Sequence, residues 1–360
     1  MPELPEVETV ARDLRRHLLP DSGRRGPVIV AARVSWPKTL RDGDPHAFVA
    51  GVTGHRIEAV GRRGKLIVVD LNGGQFLTIH LKMTGQLFVV PAAVPHDPHE
   101  RLSLILDDGR EVRFRDIRKF GRIGLYSADD NPFDELGPEP LDPRFTLRVF
   151  RQLIRGRRAR LKTLLVDQAF IVGVGNIYAD EALWRSRLHP LRSAATLRPE
   201  DERALYRNLL DILAEAVDRR GSSIDDYTAP DGDGQMQERL EVYQRTGQPC
   251  PRCKRPIRRI VIGIRATHFC SFCQRLPASD RAGAMKLLAT MTPRLGQPAA
   301  RQQGRTPAGR RWVDLDGEGS LGRTTDEAAK ARERAARTKA AAAARRAVAR
   351  AGGATGAGTA

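Results

Sequence analysis

The sequence predicts a multidomain α+β protein, with a β-sandwich near its start, a helical domain after it and a cysteine-bearing hairpin behind that. Three features carry this. Apolar runs of strand length recur six times between Val28 and Tyr126. Apolar spacing turns helical from Phe145 to about Arg220. All four cysteines fall in one cluster near residue 260. At 360 residues the chain has room for two or three domains, each with its own core.

Residues 4 to 18 read as a helix, because Leu4, Val7, Val10 or Ala11, Leu14 and Leu18 keep helical spacing. Pro5 suits the first turn and Pro20 stops the run. The runs VIVAARVSW, KLIVVDL, QFLTIHL, QLFVV, RLSLIL and VRFRDI then read as strands. Asn72-Gly73-Gly74 and Asp107-Asp108-Gly109 supply turns between them, so a sandwich or barrel is expected. Residues 129 to 144 hold four prolines and several acids and read as a linker or inter-domain loop. The helical stretch that follows breaks at Gly156, at Gly173 to Gly175 and at Pro190, and ends in a polar, Gly-rich loop over 221 to 235. The expected domains are therefore 1–128, a linker 129–144, 145–235, 236–277, and a basic Ala/Arg-rich tail 278–360 that is expected to be disordered, with transient helix at 326 to 350.

The formal net charge is +18, and a surplus that large points to a polyanionic partner, of which nucleic acid is the commonest. From Arg281 onward there are sixteen Lys and Arg against six acids, so the tail inflates the total, but the body is basic without it. No apolar stretch reaches the roughly 18 residues of a membrane span, and no membrane partner is expected. No basic-then-apolar leader opens the chain, and Glu3, Glu6 and Glu8 make its start too acidic for a transit peptide. Four cysteines are too few for a disulfide scaffold and suit metal in a reducing compartment, so a cytoplasmic location is expected.

Cys250-x2-Cys253 and Cys270-x2-Cys273, sixteen residues apart, have the spacing of a four-thiolate zinc site. Each pair is a knuckle turn, and Ile257, Ile260, Val261 and Ile262 between them can form a hairpin, making a zinc finger. Four thiolates leave no open coordination position, so one Zn2+ with a structural role is expected. Two unrelated thiol pairs or a redox dithiol are the alternative. Arg265 sits in the hairpin among Arg258, Arg259 and His268, where it is either a phosphate clamp or a solvated arginine.

Pro2 becomes the terminal residue once Met1 is removed, and its secondary amine is then a nucleophile beside the carboxylates Glu3 and Glu6. An α-amino group titrates near pH 8, so more of it is neutral at pH 7 than of a lysine. Such an amine can attack an anomeric carbon, expel a base and form a Schiff base, with a carboxylate protonating the ring oxygen. The plainer reading is an ordinary helix start, with acids at its positive end.

MPELPEVETV resembles the start of bacterial formamidopyrimidine-DNA glycosylase, the repair enzyme that removes oxidised purines. DQAFIVGVGNIYADEALW (167 to 184) is similar to that family's helix–two-turn–helix signature, RDIRKFG (115 to 121) to its gap-filling loop, HLKMTG (80 to 85) to its methionine turn, and CPRC…THFCSFCQ to its zinc finger. The five motifs stand in the family's order over residues 1 to 277.

The resemblance implies a bifunctional glycosylase and abasic-site lyase acting as a monomer on damaged double-stranded DNA. Pro2 would be the nucleophile, Glu3 the general acid, and Glu6 would order water or the sugar. Lys65 would bind a phosphate beside the lesion, where the residue alone reads as a strand-end lysine. Asn176, just after the turn Gly173-Val174-Gly175 that bares backbone N–H groups, would hold another with Arg265, although a lone Asn in such a turn is more often a cap. Met83, Arg118 and Phe120 would enter the duplex as a wedge, filling the slot of an extruded base. Met and Phe are more often core residues, but Phe120 lies among four charges, which favours exposure.

Two departures stand out. Gly234-Gln235-Met236 replaces the Gly-Tyr-Phe often found in the family's lesion-capping loop, and the loop is shorter. The basic tail has no counterpart, and reads as a solvated linker or a non-specific DNA tether. A related glycosylase for oxidised pyrimidines, or a non-catalytic binder of damaged DNA, are the alternative functions; Leu4, where the pyrimidine branch more usually has Gly, speaks against the first.

Overall fold

The computed structural model describes residues 1–19, 25–223, 234–289 and 291. The tail from 292 onward, with its expected disorder and transient helix, and residues 224–233 of the loop expected to cap the lesion lie outside the described residues.

Helix α1 (Leu4–Leu18) forms where the apolar spacing places it. Glu3 precedes it in an extended conformation, and the Glu6 carboxylate accepts the Glu3 backbone N–H. Behind α1 come β1 (Ile29–Val34), α2 (Pro45–Val52), β2 (Ile57–Arg63), β3 (Leu66–Leu71), β4 (Phe76–His80), β5 (Gly85–Pro91), β6 (Glu100–Leu106), β7 (Arg110–Asp116) and β8 (Arg122–Tyr126). The strands make two four-stranded antiparallel sheets, β1-β6-β7-β5 and β2-β3-β4-β8. Ile29, Leu104 and Phe114 of one sheet and Val60, Ile67 and Ile79 of the other share a single core, the sandwich the strand runs imply. Val7, Val10, Leu14 and Leu18 of α1 are buried in that core, each worth about 1.5–3 kcal/mol of transfer free energy.

Three elements were hidden in the sequence pattern. β2 reads IEAVGRR and β8 reads RIGLY, each interrupted by a glycine and charged at one end, so neither shows a clean apolar alternation. In α2, Asp44 accepts from the N–H groups of His46 and Ala47 and Pro45 opens the helix, an ordinary start signal without a long apolar stripe to support it.

The proline-rich stretch 129–144 is bound to both neighbours. Glu139 bridges Arg62 and Arg63 of β2 at 2.8 and 3.2 Å, and the Gly137 N–H donates to the Gln168 carbonyl. Helices α3 (Leu147–Ile154), α4 (Leu161–Leu165), α5 (Asn176–Arg185) and α6 (Pro199–Asp218) follow, around Phe150, Phe170, Tyr178, Leu209 and Leu213. Met236 and Leu240 belong to this helical core, so residues expected to open the finger region pack with the helices instead.

The finger hairpin is β9 (Arg258–Ile262) and β10 (Arg265–Phe269), with Arg265 paired to Ile262. Past it the chain departs from expectation. The tail expected to start at 278 begins with α7 (Ala278–Arg281), a 3-10 turn (Ala282–Ala284) and α8 (Met285–Leu288), packed beside the hairpin. The Ala- and Arg-rich composition masked the apolar set Leu276, Ala284, Leu287, Leu288 and Met291 that makes this docking favourable. Among the described residues no helix is long and apolar enough to cross a membrane.

Candidate active site

The start of α1 is driven into the turn that opens α5. The Leu4 N–H donates to the Gly173 carbonyl at 3.0 Å, and Pro2, Glu3 and Glu6 are all buried. The Glu3 carboxylate caps α5 from across the chain: Oε2 accepts from the N–H groups of Gly175 at 2.8 Å and Tyr178 at 3.3 Å, and Oε1 from that of Ile177 at 2.8 Å. A carboxylate at a helix N-terminus meets both unpaired donors and the positive end of the dipole. The turn after Gly173 does bare backbone N–H groups, as the sequence implied, but Glu3 occupies them. A Cβ at Gly175 would lie 2.4 Å from the Glu3 carboxyl carbon, so only glycine leaves room.

Glu6 faces the other way. Its Oε1 accepts from the Tyr178 hydroxyl at 2.6 Å, the Ser222 N–H at 2.7 Å and the Ser222 hydroxyl at 3.0 Å, and its Oε2 from the Glu3 N–H at 2.8 Å. Burial, and then the Glu3 charge, push the Glu6 carboxyl above its ordinary value, against the opposing pull of Tyr178 and Ser222. Gly221, at φ +72°, lets the chain pass Glu6, where a Cβ would meet Oε1 at 2.7 Å.

Lys65 sits in the β2–β3 turn, not at the strand end that the sequence suggested. It is only 8% exposed, and its ammonium has no hydrogen bond or ion pair among the described residues. Burial lowers its basicity, with Glu3 and Glu6 opposing and Arg265 assisting, which places it within electrostatic reach of both carboxylates and the finger arginine. Asn176 is the first residue of α5, with Gly175 in the cap position; its Nδ2 donates to the Ala266 carbonyl at 2.8 Å and its Oδ1 is buried without a partner. Arg265 is exposed at the end of the hairpin, beside Ala266.

Sequence reasoning missed the network behind these groups. The Lys162 ammonium donates to the Asn176 carbonyl at 2.8 Å and to Asp180 Oδ1 at 2.6 Å; Asp180 Oδ2 accepts the His268 N–H at 2.8 Å. Its neighbour Glu181 accepts the N–H groups of Glu241, Val242 and Tyr243. The available signal was the run IYADEALW, where two adjacent acids lie in a helix apolar on every side and so must be buried and paired.

On the sandwich, Met83, Arg118 and Phe120 are brought together by Asp116. That fully buried carboxylate accepts the Arg118 N–H at 3.2 Å, the Gly121 N–H at 2.7 Å and the Thr84 hydroxyl, tying the 118–121 loop to the methionine turn. Met83 and Phe120 stand 39% and 47% exposed, and the Arg118 guanidinium lies 5.0 Å over the Phe120 ring. Met236, by contrast, is fully buried in the helical core, with its N–H on the Gly221 carbonyl at 3.0 Å.

The four cysteine sulfurs lie within 4.8 Å of one another. Cys253 and Cys270 are 3.4 Å apart and Cys250 and Cys273 4.0 Å, around the roughly 3.8 Å edge of a tetrahedron with 2.3 Å zinc–sulfur bonds. Four thiolates in that arrangement fit a structural zinc ion.

Family models match in sequence order: the formamidopyrimidine-DNA glycosylase N-terminal domain over 1–123, the formamidopyrimidine-DNA glycosylase H2TH domain over 136–228, and the zinc finger found in FPG and IleRS over 247–276. The chain belongs to the formamidopyrimidine-DNA glycosylase family. The formamidopyrimidine-DNA glycosylase of Chloroflexus aggregans is 45% identical over 283 residues, covering 77% of this chain and 99% of the relative. That of Herpetosiphon aurantiacus is 42% identical over 278 residues, covering 76% and 100%. The structure resembles MutM (Fpg) of Thermus thermophilus, at a TM-score of 0.67 and 43% identity over 77% of this chain and all of that one. It resembles equally the Lactococcus lactis Fpg in complex with DNA containing an abasic site, at 0.70 and 33% identity over 76% and 99%.

Proposed function

We propose that this glycosylase-family chain removes oxidised purines, 8-oxoguanine and formamidopyrimidines, from duplex DNA and then cleaves the strand at the abasic site. The carrying observation is the buried, hydrogen-bonded pair Glu3 and Glu6 that follows the buried Pro2, within electrostatic reach of an unpaired, buried Lys65. With Met1 removed, the Pro2 amine attacks C1′ and the damaged base leaves with the bonding electrons. The amine proton passes through Glu3 to the ring oxygen, which opens the sugar to an iminium. β- and δ-elimination then release the strand ends and leave a one-nucleotide gap. Glu6 holds water or the sugar hydroxyl, while Lys65, Asn176 and Arg265 grip flanking phosphates.

Met83, Arg118 and Phe120 fill the space left by the extruded base, and Arg118 reads the opposite cytosine. One zinc ion holds the finger and takes no part in the chemistry. The protein acts as a monomer, in the cytoplasm, where chromosomal DNA is reached. The basic residues beyond Met291 add salt-sensitive affinity for undamaged duplex.

The test is borohydride trapping on a duplex with 8-oxoguanine opposite cytosine, followed by mass spectrometry of the cross-linked peptide. A covalent adduct on Pro2 is expected. No adduct on this duplex or on abasic-site DNA, with Met1 removed and zinc bound, would overturn the reading and leave a binding protein. An adduct only with thymine glycol would move the substrate to oxidised pyrimidines.

A further inference from the structure

The family models end at residue 276, yet the described chain continues in order through 289. The continuation spans two parts of the molecule. Toward the helices, Asp280 accepts the Thr196 hydroxyl at 2.8 Å and the Ser193 N–H at 3.3 Å, and Arg160 donates to the Gly283 carbonyl as well as to the Leu191 carbonyl at 3.1 Å. Toward the finger, Ala284 is fully buried with Ile260 and Phe269 of the hairpin, and Leu287, Leu288 and Met291 pack on the same cluster. Ile262, also packed there, is the strand partner of Arg265.

A two-stranded hairpin is marginal by itself and takes its rigidity from what covers it. Here one side is held by Asn176 on the Ala266 carbonyl and Asp180 on the His268 N–H. We propose that residues 278–289, with Met291, form a clasp that pins the finger hairpin to the helical unit and so positions Arg265 for its phosphate. This rests on the phosphate role given to Arg265 above. The clasp touches no substrate, so Asp280 and Ala284 act as positioning residues. Holding the arginine near its bound geometry reduces the ordering that DNA binding must otherwise impose. The effect therefore falls on substrate capture and not on the chemical step.

Four full-length, zinc-loaded variants test this: Asp280→Ala, Asp280→Asn, Ala284→Glu and the exposed control Met285→Ala. Hydrogen exchange of the hairpin amides is measured without DNA, and kcat and KM on the 8-oxoguanine duplex. Asp280→Ala and Ala284→Glu are expected to exchange faster in β9 and β10 and to raise KM about threefold to tenfold at unchanged kcat. Asp280→Asn, which keeps an accepting oxygen, restores both, and Met285→Ala matches the parent. Unchanged hairpin exchange, or faster exchange with KM unmoved, overturns the clasp; so does a fall in kcat alone. Should Ala284→Glu fail to fold, Asp280→Ala decides. If the parent chain excises no lesion, the glycosylase reading fails separately, and exchange with Kd for abasic-analogue duplex decides the clasp.

Discussion

Glu3 and Glu6 are joined by one hydrogen bond, from the Glu3 backbone N–H to Glu6 Oε2 at 2.8 Å, and their carboxylates point to opposite partners. Glu3 lies on the N-terminus of α5 and accepts only backbone donors. Glu6 lies against Tyr178 and Ser222 and is held toward its neutral form by burial. Two acids three residues apart thereby occupy unlike environments. One helical turn at the chain's start also couples the sandwich to the helical unit. Their separate roles can be probed one at a time.

Glu3→Gln should bind abasic-analogue duplex nearly as the parent does while slowing base excision by about 10²–10⁴-fold. The glutamine must turn its NH2 toward at least one of the α5 donors, so a stability loss of about 1–3 kcal/mol accompanies it. Single-turnover excision beside a binding titration separates the effects. Excision at the parent rate would remove the acid role.

Lys65 supplies a pH signature. Burial depresses it from the ordinary 10.5, so its neutral form appears at lower pH than a free lysine's. Phosphate contact requires the cation. Affinity for DNA should therefore fall, with proton uptake on binding, as pH rises toward the ordinary lysine range, and before it is reached. Lys65→Arg should bind more weakly overall but lose this alkaline fall, because a guanidinium stays charged. A parent affinity flat across that window would count against the phosphate role.

Tyr178→Phe removes a donor that favours ionised Glu6, so Glu6 should rise further. A carboxyl raised on folding contributes stability that is full below its unfolded value of 4.5 and is lost as pH rises through the folded value. The variant should thus be destabilised by about 1–2 kcal/mol near pH 8 and by less near pH 5. Denaturant melts at the two values check it, and a pH-independent difference would refute it.

Much of this was legible where local signals agreed. The spacing from Leu4 to Leu18, with a proline in the first turn, marks α1 to the residue, and the paired cysteines mark the finger. What stayed hidden is long-range. Tyr178 and Ser222 reach Glu6 across 172 and 216 residues of chain, and no local pattern encodes such a meeting. Composition misled at 278–288, where alanine and arginine concealed an apolar set that packs on the hairpin. The glycines at 173 and 175 mark a turn that bares N–H groups, but no local pattern shows that Glu3 fills them.

Asp116 is fully buried beneath the loop proposed to enter the duplex. Asp116→Ala would leave the Gly121 N–H and the Thr84 hydroxyl without their acceptor and the Arg118 N–H with Thr84 Oγ1 alone, at about 2–4 kcal/mol of stability. The loop should loosen, and preference for cytosine over adenine opposite the lesion should weaken, as it should also in Arg118→Ala. Excision rates on the two duplexes measure this. A variant with the parent's ratio would show that Arg118 reads the opposite base without Asp116.

Removal of the basic extension should alter salt dependence and leave chemistry alone, provided the cut respects the clasp. Residues 292–360 carry fourteen Lys and Arg against six acids. Each phosphate they neutralise would steepen the logarithmic fall of affinity with salt by about 0.9. Ending the chain after Met291 should therefore flatten the slope for undamaged duplex by several units at equal single-turnover excision. Ending it at 277 should add the KM rise expected of a lost clasp. An unchanged slope after the first cut would dismiss the tether, and identical behaviour of the two truncations would assign both effects to the residues beyond Met291.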